Sequence, residues 1–91
     1  MAKNIDIEAL RNALREIDDE LMNIVCRRVE VVRKIGSMKA VHGLSIQDHQ
    51  QEALNKTTNR QLVGDRAPSE FIDELTDLLA RWSRQIQAKQ P

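Results

Sequence analysis

The sequence has almost no aromatic residues, one cysteine, two prolines and three glycines. Phe71 and Trp82 are the whole aromatic content, so no stacking platform for nucleic-acid bases can be assembled. Cys26 stands alone, which excludes an internal disulfide framework and a cysteine zinc cluster. It is expected to act as a small core hydrophobe. No glycine-rich phosphate loop, internal repeat or low-complexity tract is present. No apolar run approaches the roughly 20 residues of a membrane span. The opening MAKNIDIEAL lacks the apolar centre of a signal peptide. A soluble cytoplasmic protein is therefore expected, as one domain over residues 1–91. Neither sign of charge is in excess: 14 basic side chains face 14 acidic ones. That argues against nucleic acid as a partner, because phosphate binding draws on a basic face. His42 and His49 read as surface residues and no His, Asp and Glu spacing suggests a metal, so no metal and no cofactor is expected.

What the sequence does have is a long apolar period. Leu10, Leu14, Ile17, Leu21, Ile24, Val31, Ile35 and Met38 recur at alternating steps of four and three. This is the period of a helix that buries one continuous seam. Arg28 interrupts it where a hydrophobic residue belongs, and a seam arginine is costly unless an anion meets it. Lys39 lies about 20° round the helix from Arg28 and roughly 16 Å along it. Two long cationic side chains leaning together can grip a small dianion.

The spacing predicts three helices and no strand. Asn4 or Asp6 caps the first, and Gly43 stops it after His42. From Ile7 to Val41 this helix would be about 50 Å long, too long for one small chain to cover. A second copy packed against it is the simplest remedy. Gly36, inside the periodic run, costs helix stability and so marks a close backbone approach. Ser45 with Asp48 suggests a capping box for a second helix from Ile46 to about Val63. It is poor in apolar residues and should lie at the surface, with one thin buried edge. Gly64 and the Asp65–Pro68 segment form a loop, and Ser69 caps the third helix. There Phe71, Leu75, Leu78, Trp82 and Ile86 make one stripe, widened by Ile72 and Leu79. Carried onward, the Ile72–Leu79 edge reaches Ser83 and Gln87, turning from apolar to hydrogen-bonding as if passing a polar cavity.

Taken together, Leu10-Arg11, Ile17-Asp18, Leu21, Arg27-Arg28, Glu30, Ile35-Gly36, Lys39, Asp48 and Glu52, with Ser83 and Gln87, resemble the all-helical chorismate mutases. The likeness spans nearly the whole chain. It implies an all-α fold of three helices, the first very long, intertwined with a second copy as a homodimer. It implies an active site for the dianion chorismate, with Arg11 reaching into the partner's site. Arg28 and Arg11 would bind substrate carboxylates, and Lys39 and Gln87 would donate to the ether oxygen of the breaking bond. Asp48 and Glu52 would lie near the ring hydroxyl, and Ser83 near a carboxylate. The sequence departs from the family at Gln51, where an arginine is usual. Relatives on this fold also remove pyruvate from isochorismate or rearrange 4-amino-4-deoxychorismate, and a non-catalytic helical module is the rival class.

Taken singly, these residues have blander readings. Arg28 can snorkel at the rim of a helix pair, and Lys39 can serve the C-terminal dipole. Asp48 is first a cap, Glu52 can pair with Lys56, and Ser83 and Gln87 can be exposed. Met22 and Met38 are packing residues, and Arg27, Arg33 and Arg60 are solvated. Only the joint pattern points to a site.

Overall fold

The computed structural model describes the backbone of residues 2–91 and the side chains of residues 6–91. It has three helices, α1 (Ala2–His42), α2 (His49–Val63) and α3 (Ser69–Ala88), and no strand among the described residues. The chain divides into two units, Met1–Val31 and Val32–Pro91.

The first unit consists of α1 residues. Helix α1 is already formed at Ala2, so Asp6 sits inside it and does not cap it; the Asn4 side chain lies outside those described. Charge pairs run along its own surface, Arg11 to Glu8 at 2.9 Å and Arg15 to Asp19 at 2.9 Å. The expected seam is present as a stripe but is not covered within the chain. Leu10, Leu14, Ile17, Leu21 and Ile24 are all exposed, Leu10 by 68%. Arg28 shares that exposure, as do Met22 and Cys26, so neither is the core residue expected.

The second unit folds the last turns of α1 with α2 and α3. Helix α1 stops where expected: Gly43 adopts φ +63°, and the Leu44 N–H returns to the Lys39 carbonyl at 2.8 Å. This left-handed residue closes the helix end and satisfies an orphan carbonyl. Helix α2 starts three residues later than the capping-box reading placed it. Asp48 is the N-cap, its carboxylate accepting from the Gln51 N–H at 3.0 Å. Ser45 instead donates to the Gln47 carbonyl at 3.2 Å. An aspartate here outcompetes the serine because its charge also suits the helix N-terminus. Gly64, at φ +59°, ends α2, and Arg66 donates to the Leu62 carbonyl at 2.8 Å. Helix α3 opens after Pro68, with no side-chain cap, and Ser69 is its first residue rather than its cap. The proline ring presets the entry angle.

Helices α2 and α3 pack antiparallel along a polar seam, and α2 lies at the surface with one thin half-buried edge, as expected. Ala53, Leu54 and Leu62 are exposed, while Glu52, Lys56, Asn59 and Val63 are half-buried. Lys56 pairs with Asp77 at 3.1 Å, and Asn59 donates to the Thr76 hydroxyl at 3.0 Å. Arg60 holds Asp73 through two bonds of 2.7 and 2.8 Å, so it is not simply solvated. On α3 the stripe Phe71, Leu75, Leu78 and Trp82 is exposed. The buried face is the neighbouring edge: Ile72, Thr76, Ser83 and Gln87. Val32 and Ile72 are the only buried large apolar residues among those described. The interior of this unit is therefore mainly polar, while several of its large apolar side chains stay outside.

Candidate active site

Site geometry begins at Gly36. A Cβ at this residue would stand 2.8 Å from Gln87 Cα and 2.9 Å from the Gln87 carbonyl oxygen. The close approach expected of Gly36 is therefore real, and the backbone it meets is that of α3 at Gln87. Gln87 is 8% exposed, not a polar residue at a frayed end. Its Oε1 is a buried acceptor without a hydrogen-bond partner. Such a group costs about 1–3 kcal/mol, and turning the amide over exchanges the buried acceptor for a donor.

One turn beyond Gly36 is Lys39, whose Nζ donates to the Ile46 carbonyl at 2.7 Å. Lys39 is thus half-buried and directed at the α1–α2 connection, not left in solvent at a helix end. Asp48 follows two residues after Ile46 and fixes the start of α2. One turn into α2, Glu52 accepts from Arg84 at 2.6 Å, which corrects the expected Glu52–Lys56 pair: Lys56 is taken by Asp77. Arg84 lies one turn before Gln87 on α3, where residues three apart are neighbours. The path Gln87, Gly36, Lys39, Ile46, Asp48, Glu52, Arg84, Gln87 therefore closes on itself within residues 32–91.

Ser83 belongs to the same stretch of α3. It is 9% exposed, and its hydroxyl donates to the Leu79 carbonyl at 2.6 Å. Gln51 points elsewhere: its side-chain amide donates to Asn55 at 2.9 Å along the exposed face of α2. Of the sequence-predicted residues, Lys39, Asp48, Glu52 and Gln87 are joined by this circuit, with Ser83 beside it. Arg11 and Arg28 belong to the first unit, where Arg11 is paired with Glu8.

The sequence reading missed Arg84. The antiparallel register set by Lys56 with Asp77 and Arg60 with Asp73 puts Glu52 level with Arg81, and the structure pairs it instead with Arg84, one turn further along α3. A separate cavity of about 230 Å³ lies between α2 and α3, lined by Leu62, Val63, Ile72, Leu75 and Leu79 with Asn59 and Thr76. It has no charged lining and suits no anion. Among the described residues no cluster of His, Cys, Asp or Glu is arranged to hold a metal. No described helix is long and apolar enough to cross a membrane.

A family model described as chorismate mutase type II matches residues 10–88. No solved structure matches the chain.

Proposed function

The chain belongs to the chorismate mutase type II family, and from that premise we propose that it rearranges chorismate to prephenate. The reaction is an intramolecular isomerisation. One C–O bond of the enolpyruvyl ether breaks as one C–C bond to the ring forms, in a single cyclic step. No nucleophile and no obligatory proton transfer is involved. The work left to a protein is to fold the side chain over the ring and to stabilise negative charge growing on the ether oxygen.

The observation that carries this reading is the closed circuit around Gln87. A buried amide with an unmatched polar atom belongs to a residue whose backbone is met by α1 at Gly36, and the cation Lys39 follows one turn along α1. Lys39 and Gln87 are the donors to the ether oxygen. With its amide turned, Gln87 presents an N–H there, and Lys39 exchanges the Ile46 carbonyl for the substrate. Asp48 and Glu52 stand at the ring hydroxyl and Ser83 at a carboxylate. Gln51 is a neutral neighbour, not a charge. Arg28 binds a second carboxylate. Arg11 does so in the site of a second copy, with the two long helices packed as a homodimer. The uncovered stripe of α1 supports that assembly: helices in proteins owe most of their stability to packing of an apolar face, and this one leaves Leu10, Leu14, Ile17, Leu21 and Ile24 exposed.

The test is loss of chorismate absorbance on adding purified protein, with the product identified by NMR. Prephenate is the expected product. Turnover of isochorismate with pyruvate release, or of 4-amino-4-deoxychorismate alone, would move the reading to another reaction of this fold. Turnover of none of the three would leave a non-catalytic module.

A further inference from the structure

The seam between α2 and α3 changes polarity along its length. At two rungs the cation is on α2 and the acid on α3: Lys56 with Asp77 and Arg60 with Asp73. At the rung next to the candidate site the order is reversed, with Glu52 on α2 and Arg84 on α3. This rung is also the most enclosed. Its side chains are 32% and 30% exposed, whereas Asp77 and Arg60 remain over half in solvent. The reversal places a guanidinium one turn before Gln87, on the helix that carries Ser83. Lys39 lies one turn past Gly36, which touches Gln87. A cation thus stands one turn from the Gly36–Gln87 contact on α1, and another one turn from it on α3.

Resting on the reading above, we propose that Arg84 is a substrate-binding residue, the guanidinium that meets a carboxylate of the dianion from the α3 side. Glu52 engages Nη1 at 2.6 Å and fixes the plane of the group. A guanidinium has five N–H donors in a rigid fork, so one carboxylate leaves donors for a second. Glu52 then acts largely through Arg84, as the group that orients it. This supplies positive charge from α3, where Gln51 on α2 is neutral and turned to Asn55.

The test compares Arg84→Gln, Lys56→Gln and the double variant Arg84→Gln/Glu52→Gln. All are measured for KM, kcat and Tm, with chorismate binding followed by calorimetry. Loss of a charge-assisted contact predicts a KM and a Kd raised about tenfold or more in Arg84→Gln. Lys56→Gln breaks a comparable rung and should leave KM unchanged. The comparison with Lys56→Gln separates substrate contact from seam structure. The double variant removes the carboxylate that Arg84→Gln alone would leave uncompensated and should stay impaired. Wild-type turnover with an unchanged KM in Arg84→Gln, or recovery in the double variant, overturns this assignment and leaves the function standing. A wild-type protein that neither binds nor converts chorismate removes both.

Discussion

From Asp6 to Val31 the chain keeps large apolar side chains outside and pairs charges along a single helix. Beyond Val32 three helix segments meet, and what they bury between them is mostly polar: Thr76, Ser83 and Gln87, with Ile72 and Val32. An apolar surface without cover asks for association, since the hydrophobic term is the dominant favourable one in folding and in most protein association. A polar interior asks for something else, since each buried polar group needs a partner and an orphan is costly. The contrast assigns the two regions different work. On the proposed reading the first is the surface that would hold two copies together, and the second carries the groups that would meet a polar ligand.

The largest expected effect comes from spoiling the first region. Leu14→Asp with Leu21→Asp puts two charges on the uncovered stripe. Wild-type protein should sediment as a dimer with a Tm that rises with concentration, as mass action requires. The double variant should sediment as a monomer with reduced helical circular dichroism, because a lone helix is marginally stable. A variant that still dimerises with an unchanged spectrum would show that the stripe is not the interface.

Arg28 comes next, because it puts a charge on the apolar stripe. Replacing a buried charge with a hydrophobic residue is often neutral or stabilising, so once a partner covers the stripe, Arg28→Leu should leave Tm unchanged or raised. On the functional reading kcat/KM falls at least ~100-fold, as for other lost charge-stabilising donors. Arg28→Lys should recover little, since a point charge cannot reproduce the fork. Melts and initial rates on both variants decide it. A folded Arg28→Leu protein with near wild-type turnover would take Arg28 out of the site.

How legible the molecule was in its sequence also divides between the two regions. Periodicity and punctuation gave the helices, the stop at Gly43 and the loop at Gly64. These signals are local, fixed by backbone sterics and the spacing of apolar residues. The close approach at Gly36 was legible for the same reason, because a glycine inside a strong helix needs an explanation. The faces were read less well. On α3 the sequence shows a stripe from Phe71 to Trp82 and a neighbouring edge that runs from Ile72 to Ser83 and Gln87, and it is that edge, with Thr76, that the chain buries. Which of two adjacent edges a helix turns inward depends on its neighbours, and α2 offered ion pairs and Asn59. Arg84 escaped notice because its meaning lies in a partner 32 residues away. The α2 start moved from Ile46 to His49 because two capping residues competed and the charged one won.

Gly36→Ala tests the second region at its tightest point. The added methyl would meet the Cα and carbonyl oxygen of Gln87 at 2.8 and 2.9 Å, and backbone cannot swing away as a flexible side-chain end can. Overpacking costs about 1–3 kcal/mol, against a helix-propensity gain of up to about 1 kcal/mol. Tm should therefore fall modestly. Activity should fall further than that, because the displaced element carries Gln87. A raised Tm with unchanged turnover would mean that α3 shifts at no cost and that Gln87 needs no such support.

The smallest effect separates the two regions by pH. Asp73 accepts two hydrogen bonds from Arg60. Those bonds first, and then the positive charges of Arg60 and Lys56, hold its carboxyl below the ordinary carboxylate range despite an opposing desolvation. Arg60 is pushed upward by the same contact and stays charged at any pH of interest, so Asp73 alone titrates. With a folded-state pKa below its unfolded value, Asp73 binds a proton more readily in the unfolded chain. Its contribution is therefore complete above the ordinary value, about 4, and is lost as pH falls through the lower folded value. The pair is open to solvent, where salt and water screen it, so the change should be small. Between pH 5 and pH 3, wild-type Tm should drop slightly more than that of Asp73→Asn, and added salt should narrow the gap. Superimposable curves would mean that the Arg60 bonds add nothing to stability in solution. A gap confined to low pH would instead mark the α2–α3 seam as held in part by titratable charge, unlike the apolar stripe of α1, which carries none of that dependence.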